Sequence, residues 1–233
     1  MPPPELSPAL LDPGLSGTPV PLMLGLAALS LAPFAALLIS SFTKIVVVLS
    51  IARSAMGTQN LPPSIVITGL AAVLSLHVMS PTLQASWAAL RAGDGALEVA
   101  TLTRRAGPAL APIRAFLERH AEPQEIEAFA ALAEAARDPE LRPPDADSEG
   151  LPFTVLLPAF LVSELSEAFH FGFLIFLPFL IIDLTVGTVL LSLGMHMLSP
   201  TTVSLPFKLL LFVAADGWRL LAEGLVSSYL GGP

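Results

Sequence analysis

The sequence contains no cysteine and few charged residues. Cysteine is absent from all 233 residues, which excludes disulfide bonds, thiolate nucleophiles and cysteine-ligated metal sites. Charged residues make up 13% of the chain, against about 25% in ordinary soluble domains. Only 11 residues are lysine or arginine and the formal net charge is -8, which opposes nucleic-acid binding. With 54% hydrophobic residues and a mean hydropathy of +0.75, the chain is expected to be membrane-associated.

The N-terminal residues 1–19 are rich in proline and contain no lysine or arginine. A secretory signal peptide begins with a basic region ahead of its apolar core. The first residues, MPPPELSPALLDPG, lack that basic region. We therefore expect this segment to be retained.

Residues 20–81 predict a hydrophobic helical hairpin. The run 22–39 is uncharged and long enough for one membrane-spanning helix, with Pro33 as the expected kink. A second apolar run, 64–79, is followed by Ser80-Pro81, which closes the hairpin. The glycine and prolines of 57–63 predict the turn between its helices.

The connection within this hairpin carries Lys44 and Arg53 and no acidic residue. The positive-inside rule therefore predicts that the connection faces the cytoplasm and that the middle segment, 82–150, faces the periplasm. One interpretation of Lys44 and Arg53 is that they only set this topology and extend toward the membrane surface. The alternative is that they pair with acidic residues in the last third of the chain.

The segment 82–150 is acidic and predicts a small helical domain outside the membrane. It holds seven basic and twelve acidic residues, a balance of -5 within the total of -8. Apolar residues at helical spacing predict one helix that begins at Pro112 and a second that begins at Pro123. Residues 138–150, with three prolines, predict an exposed linker.

The last segment, 151–233, predicts a second hydrophobic hairpin and a C-terminal helix. Its run 184–207 offers the roughly 18 or more uncharged residues expected of a membrane span, whereas 171–182 is short and suits a buried core helix or a re-entrant segment. A charged side chain costs about 2.5 to 3.5 kcal/mol at mid-membrane. Other protein is therefore expected to cover the charged side chains. We predict inter-helix or inter-subunit polar contacts at Lys44, Arg53, Glu164, Glu167, Asp183, Lys208 and Asp216.

Glu164, Glu167 and His170 share one helical face, and a glutamate three residues before a histidine has the ligand spacing of di-iron bundles. Such a site needs a second motif and further carboxylates, which the sequence lacks. We therefore predict no metal, no other cofactor and no catalytic residues, and we do not expect an enzyme.

Long blocks of the sequence carry a family resemblance. They are LLPAFLVSEL, FGFLIFLPFLIIDL, GMHMLSP and SLPFKLLLFV followed by DGW, with SFTKIVVVLSIARSAMG, NLPPS and HVMSP upstream. These blocks resemble the R component of the type III secretion export apparatus, the SctR/YscR/HrcR family with its flagellar relative FliP. The resemblance covers about residues 31–81 and 151–229. It implies an all-α, membrane-associated fold of kinked hydrophobic helical hairpins.

The resemblance also implies partners and a mechanism. The family forms a pentameric ring in the bacterial inner membrane, joined by the S and T components and resting near the U and V components. Unfolded secreted proteins pass through this ring. The missing basic N-terminal region favours the virulence (injectisome) branch, with a flagellar export gate as the alternative. An ion-coupled secondary transporter is a further interpretation, in which Glu164, Glu167 and Asp183 would be ion sites.

The sequence GMHMLSP, residues 194–200, predicts a bend at the tip of the second hairpin. In the family the matching loop is methionine-rich and forms a gasket that constricts the export channel. The resemblance assigns that role to Met195, His196 and Met197, although His196 stands where the family usually has another methionine. On composition alone, the two methionines would be ordinary core residues.

Overall fold

The computed structural model describes residues 19–58, 61–92, 99–136 and 150–231. Within these ranges the chain is helical and contains no β-strand, which confirms the all-α prediction. The helices are α1 (Pro19–Leu38), α2 (Phe42–Ala55), α3 (Ser64–Arg91), α4 (Val99–His120), α5 (Pro123–Ala135), α6 (Phe153–Ser192), α7 (Pro200–Ala214) and α8 (Gly217–Leu230). Among these helices, α3 and α6 are long and apolar enough to cross a membrane. A third candidate span is obtained if Ser30–Leu38 and Phe42–Ala55 are counted together.

The described residues fall into two units, one of residues 19–36 and one of those from 37 onward. The first unit contributes most of α1, which contains no charged residue and has Pro33 inside it. A helix that is apolar on every side needs lipid or protein around it. Large apolar side chains of this unit that are exposed are Met23, Leu26, Leu31 and Phe34.

The core of the second unit forms where α2 packs against α6. Apolar residues of α2 recur every three or four positions and are completely buried: Ile45, Val48, Leu49 and Ala52. The two helices approach closely at Gly172, where an added Cβ atom would lie 2.4 Å from Cδ1 of Ile51. Protein interiors leave no room for such an overlap. A larger residue at this position would therefore force the side chain of Ile51 to shift.

Helix α3 extends beyond residue 81, where the sequence placed the end of the first hairpin. It runs to Arg91 with Pro81 inside it. The proline removes one N–H group from the helical hydrogen-bond ladder, but packing of the buried face supplies most helical stability in proteins. That face of α3 is continuous across the proline and consists of Ile67, Ala71, Ser75, Val78, Met79 and Ser86.

Helices α4 and α5 share the core of α2 and α6, and Leu117 of α4 is completely buried in it. The predicted start of a helix at Pro112 is wrong, because α4 begins at Val99 and contains both Pro108 and Pro112. The two prolines are four residues apart, so the amide that Pro112 lacks would have bonded the carbonyl of Pro108. The start of α5 at Pro123 is confirmed.

The uncharged run 184–207 does not form one membrane span, which corrects the prediction. Helix α6 ends at Ser192, and α7 begins only at Pro200. Gly194 has a φ of +74°, a left-handed conformation that ends helices. Proline at the first position of α7 starts the next helix.

The short apolar segment 171–182 is neither a separate core helix nor re-entrant. It lies inside α6, which continues for 40 residues and includes Pro158 and Pro178. Helix α8 follows α7 through a sharp corner. Asp216 has a left-handed φ of 51° there, and a Cβ atom on Gly217 would lie 2.3 Å from the ring of Phe212.

We predict that Gly172→Ala lowers the free energy of unfolding by about 1 to 3 kcal/mol, because the added methyl group overpacks the crossing with Ile51. Gly69→Ala on α3 is the matched control, since nothing lies within 4 Å of its added Cβ. Thermal unfolding of the detergent-extracted protein measures both. Equal melting temperatures for the two variants would contradict the close crossing.

Candidate functional site

A lysine is buried in the core of the second unit. Lys44 of α2 is 1% exposed, and its Nζ atom lies 2.8 Å from Oε1 of Glu167 on α6. The same ammonium group lies 4.2 Å from the ring centroid of Tyr229 and 5.6 Å from that of Phe171. A carboxylate and two aromatic faces thus replace the water that the ammonium group loses on burial.

A second carboxylate, Glu164, lies three residues before Glu167 on α6 and is completely buried. Its Oε2 atom accepts a hydrogen bond from the hydroxyl of Tyr229, and its Oε1 atom has no hydrogen-bond partner. The Tyr229 hydroxyl also lies 3.5 Å from the backbone carbonyl of Ser41. We call Lys44, Glu164, Glu167 and Tyr229 the core polar cluster. It joins α2, α6 and α8.

Sequence reasoning did not single out Tyr229, although a signal was present. It is the only tyrosine in the chain, and it follows Leu221 and Leu225 at steps of four residues in the buried row of α8. A buried tyrosine hydroxyl usually finds a hydrogen-bond partner. A lone tyrosine in an otherwise apolar row therefore indicates a polar group beneath it.

A second buried lysine joins α6 to α7. Nζ of Lys208, which is 4% exposed, lies 2.5 Å from Oδ2 of Asp183. The other oxygen of Asp183 accepts a hydrogen bond from the hydroxyl of Ser204. The side chain of Lys208 also reaches the turn between α2 and α3, since a Cβ atom on Gly57 would lie 3.7 Å from its Nζ. These contacts hold the two stems of the second hairpin together.

The other two predicted contact residues have local roles. Arg53 donates from Nη1 to Oγ of Ser64 at 2.9 Å and to the carbonyl of Pro62 at 3.4 Å, so it closes the turn between α2 and α3. Asp216 is exposed and forms the corner that leads into α8. Neither residue belongs to the core polar cluster or to the Asp183–Lys208 pair.

The predicted motif of Glu164, Glu167 and His170 does not come together as one group. Glu164 is buried, Glu167 faces Lys44, and His170 is exposed. In the part of the chain that the structure describes, no group of three histidine, aspartate or glutamate side chains could hold a metal ion. The motif therefore contributes a buried carboxylate and an ion pair to the packing of the helices.

Residues 193–199 form an exposed loop between α6 and α7, which we call the tip loop. Met197 is 99% exposed and Met195 46% exposed, and His196 is exposed between them. The amide of Met195 donates to the carbonyl of Leu190 and that of Gly194 to the carbonyl of Leu191, which caps the end of α6. The backbone of the loop base is thus fixed while its methionine side chains are left uncovered.

The turn between α2 and α3 lies beside the first turn of α7, which follows the tip loop. Gly57 and Thr58 of the turn share a cavity of about 490 Å³ with Thr201 and Thr202 of α7. The tips of both hairpins therefore lie at the same end of the second unit. The turn that Arg53 closes and the loop that carries the methionines therefore lie at one end of the molecule's second unit.

The fold and these contacts define a class: an all-helical, membrane-associated protein whose hairpins are joined by buried lysine–carboxylate pairs and present an apolar tip loop. Residues 25–225 match the FliP family. The chain is 44% identical over 211 residues to "Yop proteins translocation protein R" of Yersinia pestis, covering 90% of this chain and 96% of that protein. It is 40% identical over 221 residues to "Virulence protein YscR" of Salmonella typhimurium, covering 92% of this chain and 99% of that protein. It is 45% identical over 206 residues to "Flagellar biosynthetic protein FliP" of Cereibacter sphaeroides, covering 88% of this chain and 65% of that protein.

The chain belongs to the FliP family. The family comprises components of type III secretion and flagellar export apparatus, so the resemblance drawn from the sequence is confirmed. Family membership and the apolar helices α3 and α6 make the chain an inner-membrane protein.

We predict that Lys208→Met destabilises the protein by about 1 to 3 kcal/mol, because it leaves a partly buried Asp183 carboxylate without its cation. The double variant Asp183→Asn with Lys208→Met should be less destabilised than Lys208→Met alone, since no charge remains uncompensated. Thermal unfolding measures both. Arg219→Met is the control, because its ion pair with Glu223 is fully exposed and such pairs contribute little. If Lys208→Met unfolded at the same temperature as Arg219→Met, the buried pair would not support the hairpin.

Proposed function

We propose that this chain is a core subunit of the inner-membrane export gate of a type III secretion system. Several copies form a ring-shaped channel through which unfolded substrate proteins pass. The observation that carries the proposal is the tip loop, which leaves Met197 99% exposed at the end of an apolar hairpin in a chain of the FliP family. An exposed methionine at this position is available to contact a neighbouring copy, a partner or a passing chain.

The ring is supported by the distribution of apolar surface. Along α3 and α6 large apolar side chains remain exposed on the faces that turn away from the core, including Val73, Leu76, Phe173, Ile181 and Leu184. Identical subunits that meet through different faces close into a ring or continue as a helix. Lipid covers whatever the neighbouring subunits do not. By resemblance to the family, the ring has five copies and is joined by the S and T components, with the U and V components nearby.

The seal is supported by the chemistry of the tip loop. Methionine is unbranched and flexible, so several copies of Met195 and Met197 can close around an irregular polypeptide and come together again after it has passed. A hydrophobic constriction also excludes ions by dewetting when it is empty. His196 lies between the two methionines and adds a polar imidazole to the constriction. We assign the subunit this passive role and no catalytic one.

The orientation of the subunit in the membrane is supported by the position of the two hairpin tips, which lie at the same end of the second unit. Because Arg53 at the end of α2 is basic and the connection to α3 holds no acidic residue, the positive-inside rule predicts that this connection, and with it the tip loop, lies on the cytoplasmic side. The middle segment, 82–150, then belongs to the periplasmic side. Its helices α4 and α5 pack on the same core as α6, so this segment rests directly on the second hairpin.

We favour the injectisome branch over the flagellar one. Relatives matched over nearly their whole length include the Yersinia translocation protein and the Salmonella virulence protein. The flagellar protein of Bacillus subtilis, matched over 95% of its length, provides the counterexample. Complementation decides the matter: the chain should restore secretion to a strain that lacks its injectisome R component, and it should not restore motility to one that lacks FliP.

We predict that the detergent-extracted protein has the native mass of a ring of several copies, and that the mass increases when S-type and T-type subunits are expressed with it. Native mass spectrometry measures both quantities. A stable monomer or dimer that does not bind these subunits would contradict the proposal of a channel and would favour an ion-coupled transporter.

We predict that Met195→Ala combined with Met197→Ala loosens the seal. Secretion should persist while ion leakage through the membrane rises several-fold, because two small side chains no longer close the constriction. Leakage is measured as ion flux across cells that express the assembled system. The control is Leu230→Ala, which removes an apolar side chain that is also exposed, at 75%, but lies at the end of α8. Unchanged ion leakage in the methionine variant would contradict the proposal that the tip loop forms the gasket.

A further inference from the structure

The core polar cluster contains two carboxylates and one lysine, so the lysine can neutralise only one of them. Nζ of Lys44 forms its ion pair with Glu167, 2.8 Å away. Glu164 is completely buried and receives the hydroxyl of Tyr229 instead. A buried carboxylate without any hydrogen bond is strongly destabilising. The hydrogen-bond partner of Glu164 therefore determines whether Lys44 pairs with Glu167 or with Glu164.

Tyr229 reaches this position from the last turn of α8. Helix α8 is held on the core by the buried row Leu221, Leu225 and Tyr229, with Val226 partly buried beside that row. In that row only the tyrosine has a polar side chain that bonds to α6. At the other end of the helix, Asp216 fixes the corner to α7. The hydroxyl of Tyr229 thus fastens the free end of α8.

We propose that Tyr229 is a positioning residue of the core polar cluster. Its hydroxyl donates a hydrogen bond to Glu164, so Lys44 is left to pair with Glu167. The same hydrogen bond attaches the C-terminal end of α8 to the first and second hairpins. Docking of α8 and the pairing of Lys44 are then one event. When the end of α8 leaves the core, Glu164 loses its donor and competes with Glu167 for the lysine.

The hydroxyl can be tested separately from the ring that carries it. The ring of Tyr229 is stacked on Phe116 with centroids 6.1 Å apart, packs against His120 at 5.1 Å and lies over Lys44. Phenylalanine retains all of these ring contacts. A difference between Tyr229 and Tyr229→Phe therefore reports the hydrogen bonding of the hydroxyl, to Glu164 and more weakly to the carbonyl of Ser41, and not the filling of space.

Hydrogen–deuterium exchange of the full-length, detergent-extracted protein measures the docking of α8. We expect Tyr229→Phe to speed amide exchange in residues 221–230 by about tenfold or more, because the variant leaves a buried acceptor unsatisfied. Ser228→Ala is the matched control, since it removes a hydroxyl of the same turn that bonds only to the carbonyl of Leu225 within α8. Equal exchange in the two variants would overturn the proposal.

A second variant separates positioning from general loss of stability and also covers a Tyr229→Phe protein that fails to fold. Glu164→Met combined with Tyr229→Phe removes both partners, so no buried group is left unpaired. We expect its α8 to exchange at close to the wild-type rate. Exchange as fast as in Tyr229→Phe alone, or a double variant that does not fold, would overturn the proposal. None of these results bears on the proposed export function, because the exchange measurement needs neither the ring nor a substrate.

Discussion

Burying an ammonium group in an apolar helical core costs several kcal/mol unless a carboxylate lies beside it. This chain buries two, Lys44 and Lys208, and each is matched by a carboxylate from α6. The pairing specifies which helices become neighbours: Lys44 fixes α2 against α6, and Lys208 fixes α7 against α6. In a chain whose apolar surfaces could pack in many registers, these pairs distinguish one arrangement from the others.

The sequence predicted the helical fold because hydrophobic runs and glycine–proline turns are local signals. The starts of α1, α3 and α5 follow from such signals within a few residues. The predictions failed where packing overrode a local signal. Pro81 lies inside α3 because the buried face of the helix continues on both sides of it, and Pro112 lies inside α4, whose following turns pack Phe116 and Leu117 on the core. The length and lack of charge of the run 184–207 favoured one span, whereas the Gly194 and Pro200 signals within it predicted the bend that the structure has, with Gly194 left-handed.

The candidate site was predictable only as a set of residue types. Charged side chains in an apolar chain indicate buried pairs, and the sequence named Lys44, Glu167, Asp183 and Lys208 on that ground. Their partners depend on which helices cross, and no spacing along the chain encodes a contact between residues 44 and 167. Tyr229 was missed for the same reason, because Glu164 is distant from it in sequence. The exposure of the tip loop likewise depends on the hairpin that carries it.

Helix α6 has a mechanical consequence because of its length. A helix of 40 residues measures about 60 Å, roughly twice the thickness of the hydrocarbon core of a bilayer. Its first turns contact α5, where Oγ of Ser163 accepts a hydrogen bond from the amide of Glu122, and its last turn holds the tip loop. One continuous helix thus connects the segment proposed to face the periplasm with the methionines. A displacement of α4 and α5 reaches the tip loop to the extent that α6 stays straight across Pro178, which removes one hydrogen bond from the helix between its two ends.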